Sequence, residues 1–442
     1  MVLFFIMALA GAYSSRNLIF EQRTSANQYR STQAIEAAEA GVEWALAMLN
    51  GGRIGADCRE AGAAANATSF RQRYLQVLND GRLRPVADPA GIPPVAPTPA
   101  LQLMAGCVFD GTDWICSCPA QNRPVLATPA GAGPFPAFRV RFSIHDPFVP
   151  DIGNPVITKP GLVMVEVNGC TRLDGLGDSC LDFPGSASNQ EGRATLRVVV
   201  ALKPALASLP SAALTVRDSV LGGTLQVVNT DPEAGGLTIQ AGGTINTADL
   251  SLLSVPGSTS DSFVEEEPLL NDVSPVSLKV AVPPLNPNRV FNWMFGTLPD
   301  TYRLQPAAIV TNCNAGNCRQ ALADLASRNP GRVIWVEGDL LLDSAGDIGT
   351  LPDPANPAVA GPVLIVTTGN VITTANARVF GFVYSQSGAW TGTPDIQGAA
   401  FVEGALEATA AGRVVFNREV LLHLQQHSGS FVRVPGGWRD FQ

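Results

Sequence analysis

Charge is scarce in this chain. Charged residues make up 15% of its 442 positions, and 29 Lys and Arg against 38 Asp and Glu leave a net charge of −9. No Lys/Arg cluster occurs, so the chain is a poor candidate for gripping nucleic acid by its phosphates, and no such partner is expected. Histidine is scarcer still, at three residues. His423 and His427 sit four apart, on one helical face, but Leu424 follows His423 where a metalloprotease H-E-x-x-H motif needs glutamate. A solvated helix surface is the reading for them. Asp339, Asp343 and Asp347 lie near a glycine without EF-hand spacing, and Glu265, Glu266 and Glu267 read as a solvated run. There is no Walker loop, no G-x-S-x-G and no dinucleotide fingerprint. No enzyme, cofactor or metal is expected.

Proline is missing from the first fifty residues, although the chain holds 34. That stretch opens with MVLFFIMALAGAY, turns polar, and ends in AIEAAEAGVEWALAMLN before Gly51-Gly52. Good helix formers dominate it and glycine stops it, so one helix is predicted over 1–50. Its apolar start is too short to span a bilayer, which takes about 20 residues. A signal peptide lacks its basic n-region here, and a globular core suits so long a helix poorly. The expectation is a membrane helix whose first residues precede Met1. Ile35, Ala38, Val42, Ala45 and Leu49 form a seam at three- and four-residue steps. Arg16, Arg23 and Arg30 share a face and read as solvated or headgroup contacts, or as partners for a neighbour's glutamates.

The run LIFEQRTSANQYRSTQAIEAAEAGVEWAL resembles the N-terminal region of the PilX-type minor pilins of type IV pili. The matching residues are Glu21, Gln22, Arg23, Asn27, Arg30, Ala34, Glu36, Ala37, Ala38, Glu39, Ala40 and Gly41. The tail VPGGWRDF (434–441) extends the likeness loosely to the other end. The resemblance implies a precursor cut by prepilin peptidase and held in the inner membrane. It also implies later packing of the helix among other pilins, at the cell surface. The cleavage motif itself is absent from this sequence. A large pseudopilin of a type II secretion system is an alternative. So is a membrane-anchored β-solenoid that binds or degrades carbohydrate. Any surface ligand is unidentified.

Eight cysteines fit an oxidising compartment. Cys170 with Cys180, and Cys313 with Cys318, are expected to close locally. Pairing among Cys58, Cys107, Cys116 and Cys118 stays open, since eight cysteines allow 105 connectivities. Cys116-Ser-Cys118 lacks a zinc-site spacer.

The fold class expected is α+β. FRVRFSI alternates, with Phe138, Val140, Phe142 and Ile144 on one face; LVMVEVNGC and ATLRVVVAL are further strands, and CVFDGTDWICSC (107–118) a hairpin. The resemblance puts the long helix across this antiparallel sheet in a head spanning 51–204. Beyond it, 205–442 carries short glycine-punctuated strands, expected to be rungs of a parallel β-solenoid rather than a sandwich. A helical insert is expected at about 285–330. It holds RVFNWMFG, with Val290, Trp293 and Met294 on one side, and CRQALADLASR.

Overall fold

The computed structural model describes residues 2–62, 67–78, 80–89, 102–131, 133–144, 160–171, 180–182, 192–256, 262–270, 289–313, 316–353 and 361–439. Helices and sheets are both present, as the mixed class requires.

The long helix runs Val2–Leu49. Asn50 ends it: its side-chain amide donates to the Leu46 carbonyl at 3.0 Å and to the Phe431 carbonyl at 3.0 Å, and its oxygen accepts from Phe431 N–H at 2.8 Å. One residue thus caps an orphaned helix carbonyl and fastens the helix to the far end of the chain.

Ala38, Val42, Ala45 and Leu49 lie buried on an antiparallel sheet, among Phe138, Val140, Val165, Val167 and Val198. The sheet order is Gly429–Arg439, Arg193–Pro204, Leu162–Cys170, Ala137–Ser143, Ala105–Phe109, Trp114–Ser117. The hairpin expected over 107–118 forms, with Cys107 opposite Cys116. One strand was not expected here. Gly429–Arg439 returns from the end of the chain to pair with Arg193–Pro204, so a cut at residue 204 would separate a strand from its neighbour. Ile144 departs from the expected alternation: it lies just past the strand, and is exposed.

Two short antiparallel pairs, Arg53–Ile54 with Thr68–Ser69 and Leu75–Val77 with Leu83–Pro85, lie beside this sheet, and the described strands from Leu214 to Phe416 form parallel ladders. They lie in a 12-stranded sheet and a 5-stranded sheet, and the chain passes between the two repeatedly. In the larger sheet one column runs Ala308–Asn312, Val333–Glu337, Val363–Thr367, Ala377–Ser385, Asp395–Val402, Leu214–Val216, Ile239–Ala241, Phe263–Val264. The spatial order is not the chain order. Strands from 214 onward stack beyond those ending at 416, so the last rungs made hold the first. Gly381 and Gly398 are in register, and a Cβ on either would strike the backbone of the strand beside it. A charge column fixes the register outside: Asp347, Arg378, Asp395 and Arg413 are successive partners. Arg378 and Arg413 each reach Asp395, at 3.1 and 3.2 Å. A slip by one rung would set like charges together.

Helices Arg289–Phe295, Pro299–Arg303 and Arg418–His427 cover the outer face of the larger sheet through Phe291, Phe295, Tyr302, Val420, Leu421 and Leu424. Val290 and Met294 are buried there, but Trp293 is 52% exposed, because the side that packs is 290, 291, 294 and 295. Cys318–Arg328 forms the second predicted helix.

Candidate assembly surface

The long helix is two objects in series. Its second half is a packing element. Three glycines let it lie close on the sheet: a Cβ at Gly41 would come within 2.6 Å of Val167 and 2.8 Å of Phe138. One at Gly169 would strike the helix backbone at Ala34 and Ala38, and one at Gly192 the backbone of Arg30. Ile35 is therefore corrected as a seam residue. It is 41% exposed, while Ala34 is fully buried, since only a small side chain fits where Gly169 presses on the helix.

The first half has no such partner among the described residues. Phe4 is 79% exposed and Phe20 71%; Phe5, Ile6, Met7, Tyr13, Leu18, Ile19 and Tyr29 are exposed as well. Phe4, Phe5, Ile6 and Met7 together face every side of the helix, and Leu18, Ile19 and Phe20 form a second bare apolar group beyond the polar run SSRN. Exposed apolar groups of this size mark a surface that something else covers. Glu21, Arg23 and Asn27 are exposed on it, and Arg30 is half-buried where it meets the sheet. Glu36 and Glu39 stay on the outer side, while Glu43 pairs with Arg433 of the terminal strand at 2.5 Å. No helix among the described residues is long and apolar enough to cross a membrane.

The joint below the helix was invisible in sequence. Arg71, on the short helix Phe70–Tyr74, is buried and donates to the carbonyls of Leu49 (2.9 Å), Gly331 (3.3 Å), His427 (3.4 Å) and Gly429 (3.1 Å). Two of these carbonyls end helices, where the backbone dipole favours a cation. Burial, and then Arg332, pull the guanidinium down to about 9. No spacing marks a lone buried arginine. The glycines did leave a signal, since glycine inside a strand marks a close backbone approach.

The disulfides are Cys58–Cys118, Cys107–Cys116, Cys170–Cys180 and Cys313–Cys318. Cys170–Cys180 brings residues 180–182 over the outer face of the sheet. There Asp182 meets the fully buried Arg139 at 3.0 Å and Arg123 at 2.9 Å. His423 and His427 are not a solvated surface. Their rings are half-buried and stacked, with centroids 4.0 Å apart. Burial, then the neighbouring imidazole, brings His423 down to about 3; burial, then Arg71, lowers His427. Asp343 accepts from Cys318 N–H (2.9 Å) and Arg319 N–H (3.0 Å), capping the helix from another segment. Slight burial raises its carboxyl, but those donors win and hold it below its ordinary value. Asp339 accepts from Asn370 N–H at 2.7 Å. Among the described residues no three His, Cys, Asp or Glu side chains gather as a metal site.

Taken together these features define a mixed α+β protein with a helix-on-sheet head and an unsheathed apolar stem. No family model matches the chain, and no curated protein matches it. Among solved structures, the competence-associated pilin ComZ from Thermus thermophilus aligns over 93% of this chain and 97% of its own, at 10% identity and a TM-score of 0.17. That is a weak likeness to a pilin.

Proposed function

We propose that this chain is a structural subunit of a pilin-type filament, a minor pilin of the PilX kind, and not an enzyme. One observation carries the reading: a helix docked on its own sheet by Ala34, Ala38, Val42, Ala45 and Leu49 continues into a segment whose large apolar side chains, Phe4 to Met7 and Leu18 to Phe20, are bare. Lipid can cover that segment before assembly, and the stems of other pilins afterwards. The inner membrane and then the cell surface are the places this implies, and four disulfides suit both sides of that journey.

The chain divides, on this reading, into a stem and a head of residues 51–204 completed by Gly429–Arg439. A β-solenoid over 205–428 follows, with helices on one side. So bulky a head suits the tip or the initiating complex better than a shaft of repeated subunits. Deleting the gene should reduce surface fibres, counted by electron microscopy. Phe20→Glu should leave the head folded and its disulfides formed, yet remove the protein from sheared fibres. Normal piliation in the deletion strain, or normal incorporation of Phe20→Glu, would count decisively against the proposal. The parallel ladders favour one further reading, a tethered carbohydrate-binding solenoid; retention of the purified protein on a glycan array would support it.

A further inference from the structure

The eight-strand column of the larger parallel sheet has two ends, Ala308–Asn312 and Phe263–Val264. Among the described residues each of these strands has one neighbour, so each presents an unpaired edge. Edges of this kind are templates for another strand. Two features show how these two edges relate.

The first is register. Position by position, Val310 aligns with Trp335, Val366, Tyr384, Phe401, Thr215, Gln240 and Val264. Ile309 follows the parallel row to Phe263 by the same pairings. Every strand in the column points the same way. A second copy moved along the column by its own length would therefore bring Ala308–Asn312 against Phe263–Val264 as one more parallel step. Ile309 would face Phe263 and Val310 would face Val264. Both valines are open in the single chain, Val310 at 46% and Val264 at 38%.

The second is charge. Residues 205–270 hold eight Asp or Glu and one Arg, and residues 289–332 hold five Arg and two Asp. The segments at the Phe263–Val264 end thus carry net negative charge and those around Ala308–Asn312 net positive charge, with Arg303 there paired to Glu337 at 2.8 Å. Like ends repel and unlike ends attract, with a strength that falls as salt rises.

We propose that copies of this chain associate head to tail, the Phe263–Val264 edge of one accepting the Ala308–Asn312 edge of the next. Such a contact is heterologous and does not close by two-fold symmetry, so it extends into rows unless another subunit stops it.

The test is thiol-specific crosslinking of the full chain, kept in detergent micelles so that the apolar stem does not associate. All eight native cysteines are in disulfides, so a short bismaleimide reads only introduced thiols. Within one molecule, positions 264 and 310 stand roughly 34 Å apart, seven strand spacings, beyond the reach of the linker. Val264→Cys mixed with Val310→Cys should give a crosslinked dimer, and the double variant a ladder of oligomers. Either single variant alone should stay monomeric. Raised salt, or Glu265→Lys with Glu266→Lys, should cut the yield several-fold. Absence of the 264–310 link in variants with parental circular dichroism would overturn the proposal. Self-linking of the single variants as fast as the mixture would overturn it too.

Discussion

Arg71 donates to four carbonyls from three stretches of chain that are far apart in sequence: the end of the long helix, residue 331, and the junction of the last helix with the terminal strand. Its ring partner is Phe431, whose centroid lies 5.2 Å away. Arg71→Met keeps most of the volume and strands those carbonyls. Charged hydrogen bonds contribute about 1.5–3 kcal/mol each, and partial relaxation leaves an expected loss of roughly 3–4 kcal/mol, measured by urea unfolding. The two stacked histidines set a pH dependence. Their folded values lie below 6.5, the ordinary value, so between pH 6.5 and about 3 the unfolded chain binds more protons. Stability therefore rises with pH through that window and is lost on acidification. From pH 7 to pH 4 the expected loss is on the order of 2–3 kcal/mol. His423→Gln should flatten that slope; an unchanged slope in the variant would refute the assignment.

At the scale of elements, the helix–sheet contact is set by backbone proximity more than by side-chain volume. Gly169 lies against Ala34 and Ala38, Gly192 against Arg30, and Gly41 against Val167 and Phe138. Gly169→Leu would have to lift the helix off the strand, and overpacking of this kind costs about 3 kcal/mol or more. The expected outcome is a lower melting temperature with the parallel ladders intact, read by hydrogen exchange in the two regions separately. The helix periodicity was legible, since four of the five seam positions lie in the core. Ile35 failed because hydrophobicity ranked it above Ala34, whereas the strand opposite has room only for the smaller side chain. Trp293 failed similarly. Its spacing fits either side of a two-turn helix, and the sheet beneath chose the side carrying Phe291 and Phe295.

Across the whole molecule, the two ends of the chain meet. Asn50 and Arg71 grip the terminal strand, and that strand is an edge of the head sheet. Its Pro435-Gly436-Gly437 segment bulges where four residues stand opposite one, between Arg433 and Trp438. Proline and a bulge blunt an edge against further strand addition. A chain truncated after His427 should lose the head sheet's edge, expose Phe431's site on the core, and unfold at lower denaturant. A midpoint equal to that of the full chain would show the strand to be dispensable. The ladder makes a second demand. Strands 214–228 rest on strands 395–416, so the early rungs cannot be completed until the late ones exist.

The sequence by itself determined the elements whose cause is local. The proline-free helix, the alternating strands of the head, the hairpin over 107–118 and the helix Cys318–Arg328 follow from propensity, period and turn chemistry acting over a few residues. Tertiary structure alone decided the return of Gly429–Arg439 to the head, the inverted order of the rungs, the burial of Arg71 and the choice of Ala34 over Ile35. Each of those depends on which backbones approach one another across hundreds of residues. No local period carries that information, because pairing between distant strands and the room left at a contact are properties of the assembled chain.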